Sequence, residues 1–212
     1  GMASRAPLEA RWAVVPGFDD PQADLEQYPT PPGRAAHAVH AADLNGDVDG
    51  RTVVDLGTGT GMLALGAALR GPARVVGVDV DRTVLRTAAE NRRRVGTTTP
   101  VGWVCADATD APLRPSGPTT GVMTPPFGAQ DANEHADRAF LATAARIADV
   151  SYSVHNAGSA GFVESFAADN GGSVTHAFRA ELEIDRQFEF HDATTRSIDA
   201  EVYRIEWPNA DG

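Results

Sequence analysis

Lysine is absent from this chain: all 18 basic residues are arginine, set against 29 acids, for a formal net charge of −11 over 212 residues. There is one cysteine, Cys105, so neither a disulfide framework nor a cysteine-based metal site can form within one chain, and a reducing cytoplasm is the expected compartment. His37, His40, His135, His176 and His191 show no zinc-ligand spacing, and no metal is expected. No apolar run approaches the roughly 18 residues of a membrane span, and the first residues carry no basic segment followed by an apolar stretch, so no membrane partner or export signal is expected. Internal repeats and low-complexity tracts are also missing, which excludes solenoids and propellers.

So acidic a balance argues against a polyanionic partner, because affinity for nucleic acid rests largely on phosphate neutralisation by cations. The exception is a protein working at very high salt. Screening there shortens the Debye length to about 3 Å at 1 M, and an acidic, hydrated surface preserves solubility. Lysine loss together with abundant Asp, Ala and Val favours this second explanation, a halophile's cytoplasm.

Short apolar runs alternate with helical patterns, the βαβ signature of a parallel sheet. Strands are expected over 52–55, 74–79, 101–105, 120–123 and 150–155, and helices over about 62–69, 82–94, 136–148 and 159–169. Two β-like segments, 173–184 and 198–207, follow one another with no helix between them, which predicts an antiparallel pair at one sheet edge. The expected fold is α/β, with a seven-stranded and mostly parallel sheet. Residues 1–40, rich in proline, read as an N-terminal arm that turns helical only around 33–43, leaving 41–212 as the main domain.

At the first strand's end, Asp55 precedes Gly57, Thr58, Gly59 and Gly61. Alternate glycines where a strand meets a helix let a ligand approach bare backbone. The dinucleotide fingerprint needs a glycine three residues after Gly59, where Met62 stands, so the NAD reading is weakened. An acid at this strand end would repel a pyrophosphate and attract the cationic end of S-adenosylmethionine. Asp79, ending the second strand, can accept both ribose hydroxyls of an adenosine group, and Asp107, ending the third, can accept from the adenine amine. Their neighbours Val80 and Ala108 are placed in the same site. Three acids at three consecutive strand ends converge on the edge where doubly wound sheets bind ligands.

The fourth strand runs into Thr124, Pro125, Pro126 and Phe127, where two prolines forbid continuation of helix or ladder. This motif resembles the Asn/Asp/Ser-Pro-Pro-Tyr/Phe of amino-methyltransferases. In such enzymes the first side chain and a proline carbonyl accept hydrogen bonds from the amine to be methylated, and the aromatic ring stacks on an extruded base. Accepting both N–H hydrogens aims the nitrogen lone pair at the cofactor methyl, so catalysis is mostly positioning.

LEQYPT at 25–30, PFG at 126–128, YSVH at 152–155, AEL at 180–182, FH at 190–191 and DAEV at 199–202 together resemble the methyltransferase-like protein five family over nearly the whole chain. The resemblance implies a Rossmann-like class I methyltransferase fold and S-adenosylmethionine as cofactor. The activity it implies is N6-methylation of an adenosine in small-subunit ribosomal RNA, with a small zinc-containing activator protein as partner in eukaryotic members. It implies that Gln27 and Thr30 close over the methionine end of the cofactor, that the segment from Asp55 to Gly61 lines it, and that Phe127 and His155 stand on the substrate side. Two departures stand out. Thr124 replaces the family's Asn with a single, shorter hydroxyl acceptor. The segment after His191, lysine-rich in relatives, here reads DATTR, leaving Arg196 to contact phosphate. Rival readings keep the motif but give it a protein glutamine or small amine, or make the chain a catalytically weak ribosome-assembly factor. The run Arg92, Arg93, Arg94 ends a predicted helix, where cations suit the macrodipole, and reads first as a solvated helix end.

Overall fold

The computed structural model describes residues 11–14, 34–124, 130–185 and 195–208. In chain order the elements are β1 (Arg11–Val14), α1 (Arg34–Leu44), β2 (Thr52–Leu56), α2 (Met62–Ala68), β3 (Arg74–Asp79), α3 (Arg82–Val95), β4 (Val101–Cys105), β5 (Thr119–Met123), α4 (Gln130–Ile147), β6 (Val150–Asn156), α5 (Ala160–Asp169), β7 (Ser173–Asp185) and β8 (Thr195–Glu206). One sheet holds all the strands in the order β1-β7-β8-β6-β5-β2-β3-β4.

Strands β2 to β6 are mutually parallel, and β8 lies antiparallel to both β6 and β7. The seven strands from β2 to β8 are thus the expected sheet, six running one way and β8 reversed. An eighth strand was not expected. β1 adds antiparallel to β7, pairing Arg11 with Glu181 and Val14 with Phe178. Four residues in a proline-rich arm carry no readable alternation, and they become a strand only because an edge is available to pair with. Helix α4 begins at Gln130, before the expected 136, because its first turns are polar and lack the apolar period that marks a helix.

Central strands β2 and β5 are buried along their whole length, as expected of parallel strands covered on both faces. One face packs Val53, Val75, Val122 and Tyr152 against Ala38, Ala42, Leu63 and Ala67 of α1 and α2. The other packs Val54, Leu56, Val78 and Met123 against Leu141, Ala144, Val163 and Phe166 of α4 and α5. Asp81 caps α3 by accepting from the backbone N–H groups of Thr83 and Val84, and Gly96 ends the helix in the left-handed region at φ 69°, a cap that glycine adopts without a Cβ penalty. Behind the sheet, buried Asp47 accepts from Tyr152 Oη and from Arg204 Nε at 2.9 Å, tying the α1–β2 connection to β6 and β8.

The chain passes from β2 outward through β3 to β4, then returns to place β5 on the other side of β2. The reversal makes a topological switch point between β2 and β5, and the crevice at the carboxyl ends there is where such sheets bind ligands. Leu56 pairs with Met123 as the last residues of the two strands. Gly57 and Thr124 therefore leave the sheet side by side.

Candidate active site

Three strand ends build the site. At the end of β2, Gly57 and Thr58 both donate backbone N–H bonds to the Val78 carbonyl, at 2.9 and 2.8 Å, stapling the glycine turn to β3. Asp55 is buried beneath the turn and accepts from Thr58 Oγ1 at 2.7 Å. Burial pushes its carboxyl up to about 7, opposed by the Thr58 hydrogen bond and reinforced by the charge of Asp79. The side chain stays inside the fold and does not line the cleft. α2 packs over β2 on this side, and the carboxylate that was expected to meet the cofactor's cationic end holds the turn through Thr58.

The glycines of the turn also divide their roles. Gly59 has φ 56°, and a Cβ built there would meet nothing within 4 Å, so its backbone opens onto free space where a ligand can approach. At Gly61 a Cβ would lie 2.7 Å from the Trp103 ring, so this glycine serves the packing of α2 against β4.

At the end of β3, Asp79 accepts from the Gly59 N–H through Oδ2 and from the Asp81 N–H through Oδ1, each at 2.9 Å. Each oxygen keeps a lone pair for a ligand hydroxyl. Next to it the Val80 side chain is 74% exposed, a bare apolar surface of the kind that meets a flat ring. After β4, Asp107 accepts from Thr109 Oγ1 at 2.6 Å and from its N–H at 2.9 Å, and these two bonds hold its carboxyl below the usual range. A cleft of about 340 Å³ opens among Gly57, Asp79, Val80, Asp107, Ala108, Thr109, Thr124 and Phe140, within the range of small-molecule sites. Among the described residues two carboxylates and no cation line it, a lining that disfavours a nucleotide phosphate, whereas a nucleoside with a positively charged tail finds acceptors for its hydroxyls and amine. The donor set fits S-adenosylmethionine.

Of the expected residues, the fold brings Gly57, Asp79, Val80, Asp107, Ala108 and Thr124 to one cleft; Asp55 is buried beneath the turn, Gly61 is taken up by packing, and Thr58 serves Asp55. Gln27, Thr30, Pro125, Pro126 and Phe127 lie outside the described residues. Arg196 pairs with Ile184 in the part of the β7–β8 ribbon that continues beyond the last β6–β8 pair, Asn156 with Ala200, and so overhangs the carboxyl edge of the sheet.

His155 is 1% exposed. Its Nδ1 pairs with Asp137 Oδ2 at 2.8 Å and its Nε2 with Ser153 Oγ at 2.7 Å. Both ring nitrogens are engaged, and the histidine ties α4 to β6. Thr109 and Phe140 were not foreseen in the sequence. Thr109 is legible only as the partner that an acid two residues earlier needs in an Asx-type turn. Phe140 reaches the cleft from α4 by tertiary packing, with no local signal.

A class I S-adenosylmethionine-dependent methyltransferase is what this strand order and this cleft define. Residues 38–108, the cofactor half, match the ribosomal protein L11 methyltransferase (PrmA) family. Over nearly its full length the chain is similar to an uncharacterised protein of Methanocaldococcus jannaschii, at 36% identity over 97% of this chain and 95% of that one. It is also similar to the rRNA N6-adenosine methyltransferase Mettl5 of Drosophila melanogaster, at 34% identity over 94% of each. Among solved structures, a candidate RNA methyltransferase from Pyrococcus horikoshii superposes with a TM-score of 0.70 at 36% identity, covering 91% of this chain and 92% of that one. The chain belongs to the methyltransferase-like protein five family.

Proposed function

We propose that this enzyme methylates the exocyclic N6 amine of an adenosine in small-subunit ribosomal RNA. The observation that carries this reading is the position of Thr124. It leaves β5 beside the glycine turn and lines the same cleft as Asp79 and Asp107, so an amine bound there lies next to the cofactor. Asp79 and Asp107 hold the adenosine end of S-adenosylmethionine, with Val80 and Ala108 against its rings. Gln27 and Thr30, from the arm of residues 1–40, close over the methionine end. When bound, the cofactor supplies an electrophilic methyl group. The chain's own part is orientation: Thr124 Oγ1 and the Pro126 carbonyl accept the two amine hydrogens, Phe127 stacks on the base, and the nitrogen lone pair is left pointing along the line of transfer. The proton displaced by methylation leaves to water, and no strong general base is required. Arg196, on the ribbon overhanging the site edge, contacts a phosphate.

A small zinc-containing activator protein belongs to the same proposal. Strand β4 is one of the two edges of the sheet, unpaired on its outer side among the described residues, with Val101 and Trp103 only partly buried, and such an edge accepts a partner by strand addition. The reaction belongs in the cytoplasm, at high salt.

The test is transfer of label from tritiated S-adenosylmethionine to deproteinised small-subunit rRNA from a strain lacking the gene, in molar potassium chloride, followed by nucleoside analysis. Label in N6-methyladenosine is expected, whereas label in another nucleoside, or cofactor binding with no transfer to RNA, overturns the reading. Thr124→Asn, which supplies a longer acceptor, is expected to raise kcat about three- to tenfold, the value of one hydrogen bond. Unchanged turnover would show that the hydroxyl already suffices.

A further inference from the structure

Helix α3 is the opposite of the rest of the chain in charge. Its fourteen residues hold five of the 18 arginines and only one of the 29 acids, Glu90. Glu90 is taken by Arg94 at 3.0 Å. Arg82, Arg86 and Arg93 are exposed, and among the described residues no ion pair engages them. At about 100° per residue these three fall within roughly 40° of one another on the helix surface. They form a stripe about 16 Å long, interrupted only by the small Ala89, about 80° around the helix from the buried Leu85 and about 140° from the buried Ala88.

The helix dipole accounts for basic residues in the last turn. It does not account for Arg82, which sits in the first turn where a cation is disfavoured, nor for Arg86, which faces Arg82 one turn away and repels it. Asp81 caps the helix through Oδ1 and forms no ion pair with Arg82 among the described residues. A fold carrying −11 overall has set three cations side by side on one face, with no ion pair to any of them among the described residues. The position matters too. The stripe starts at Arg82, two residues after Val80 of the cleft wall, and runs away from it along the helix that packs on β3 and β4.

We propose that the Arg82–Arg86–Arg93 face of α3 is a second contact surface for the substrate, binding the phosphate backbone of RNA flanking the target nucleotide. The inference rests on the RNA reading above and adds the place where an acidic protein grips a polyanion. Arginine suits the task at high salt, since its weakly hydrated guanidinium forms forked hydrogen bonds to phosphate.

The experiment measures binding of the same rRNA by filter retention across a series of potassium chloride concentrations, for the wild type, for Arg82→Gln/Arg86→Gln/Arg93→Gln and for the corresponding triple Lys variant. The Gln variant is expected to lose about two to three units from the slope of log affinity against log salt, and at least about tenfold in affinity near 0.2 M. The Lys variant should recover most of both. Cofactor affinity should be unchanged, and the melting temperature unchanged or higher, because the like-charge repulsion is gone. Wild-type slope and affinity in the Gln variant would overturn the proposal while leaving the function intact. Wild-type protein that neither binds nor methylates RNA would overturn the function itself.

Discussion

Asp55 and Asp79 stand on neighbouring strands, 24 residues apart, and their surroundings differ. Asp79 is at the rim with backbone donors and spare lone pairs, while Asp55 is sealed beneath the turn with its carboxyl raised from 3.8 to about 7. A carboxyl with a raised folded pKa holds a proton that the unfolded chain has released. Its effect on stability is therefore nil below the unfolded value and becomes a growing penalty as pH rises from about 4 through about 7. Asp55→Asn keeps an acceptor for Thr58 and abolishes this dependence. Thermal melts of both proteins from about pH 5.5 to about 8 should show the variant gaining on the wild type as pH rises, and parallel curves would contradict the burial argument. The positions of Asp55, Asp79 and Asp107 at strand ends were legible, because an apolar β-branched run followed by an acid marks where a strand stops. Which of the three would face the cleft was not, because Asp55 is hidden by helix α2 packing across from it. The same limit applies to His155, whose partner Asp137 arrives from α4.

Among the elements, β3 and β4 show how tightly the cofactor turn depends on what lies behind it. Gly77, in the middle of β3, lies under the Trp103 ring of β4, and a Cβ there would sit 2.6 Å from two ring carbons and 2.7 Å from Thr58 Oγ1. Gly77→Ala is expected to cost about 1–3 kcal/mol through overpacking. Because Thr58 belongs to the turn, it should also weaken S-adenosylmethionine binding measured by calorimetry. Adding Trp103→Phe should return part of both losses, and a Gly77→Ala protein with wild-type stability and affinity would refute the packing account. The strand and helix order was readable from periodicity and turn residues because each of these elements buries a continuous apolar stripe. Strand β1 and the first turns of α4 escaped because neither has such a stripe, the one existing only through its pairing with β7.

For the whole molecule, charge is the governing quantity. Eighteen arginines cannot balance 29 acids, and the self-repulsion opposes compactness until salt screens it. The melting temperature is expected to rise steadily from about 0.1 M to about 2 M potassium chloride, the Debye length contracting from about 10 Å toward 3 Å and below. A flat or falling profile in scanning calorimetry would remove the argument for a high-salt setting. Composition makes this balance visible in the sequence, but the gathering of cations on one helix becomes meaningful only once α3 is seen to flank the cleft.

Strand order carries one more consequence, which concerns time. Strand β8 lies between β6 and β7, and among the described residues β1 pairs only with β7. As the chain emerges from a ribosome, the parallel half from β2 to β6 can assemble as soon as its own residues are out, but β7 has no place in the sheet until β8 follows and bridges it to β6. β1 and β7 must wait for β8, which follows both in the chain. The β1–β7 pairing joins the sheet only after β8 is in place.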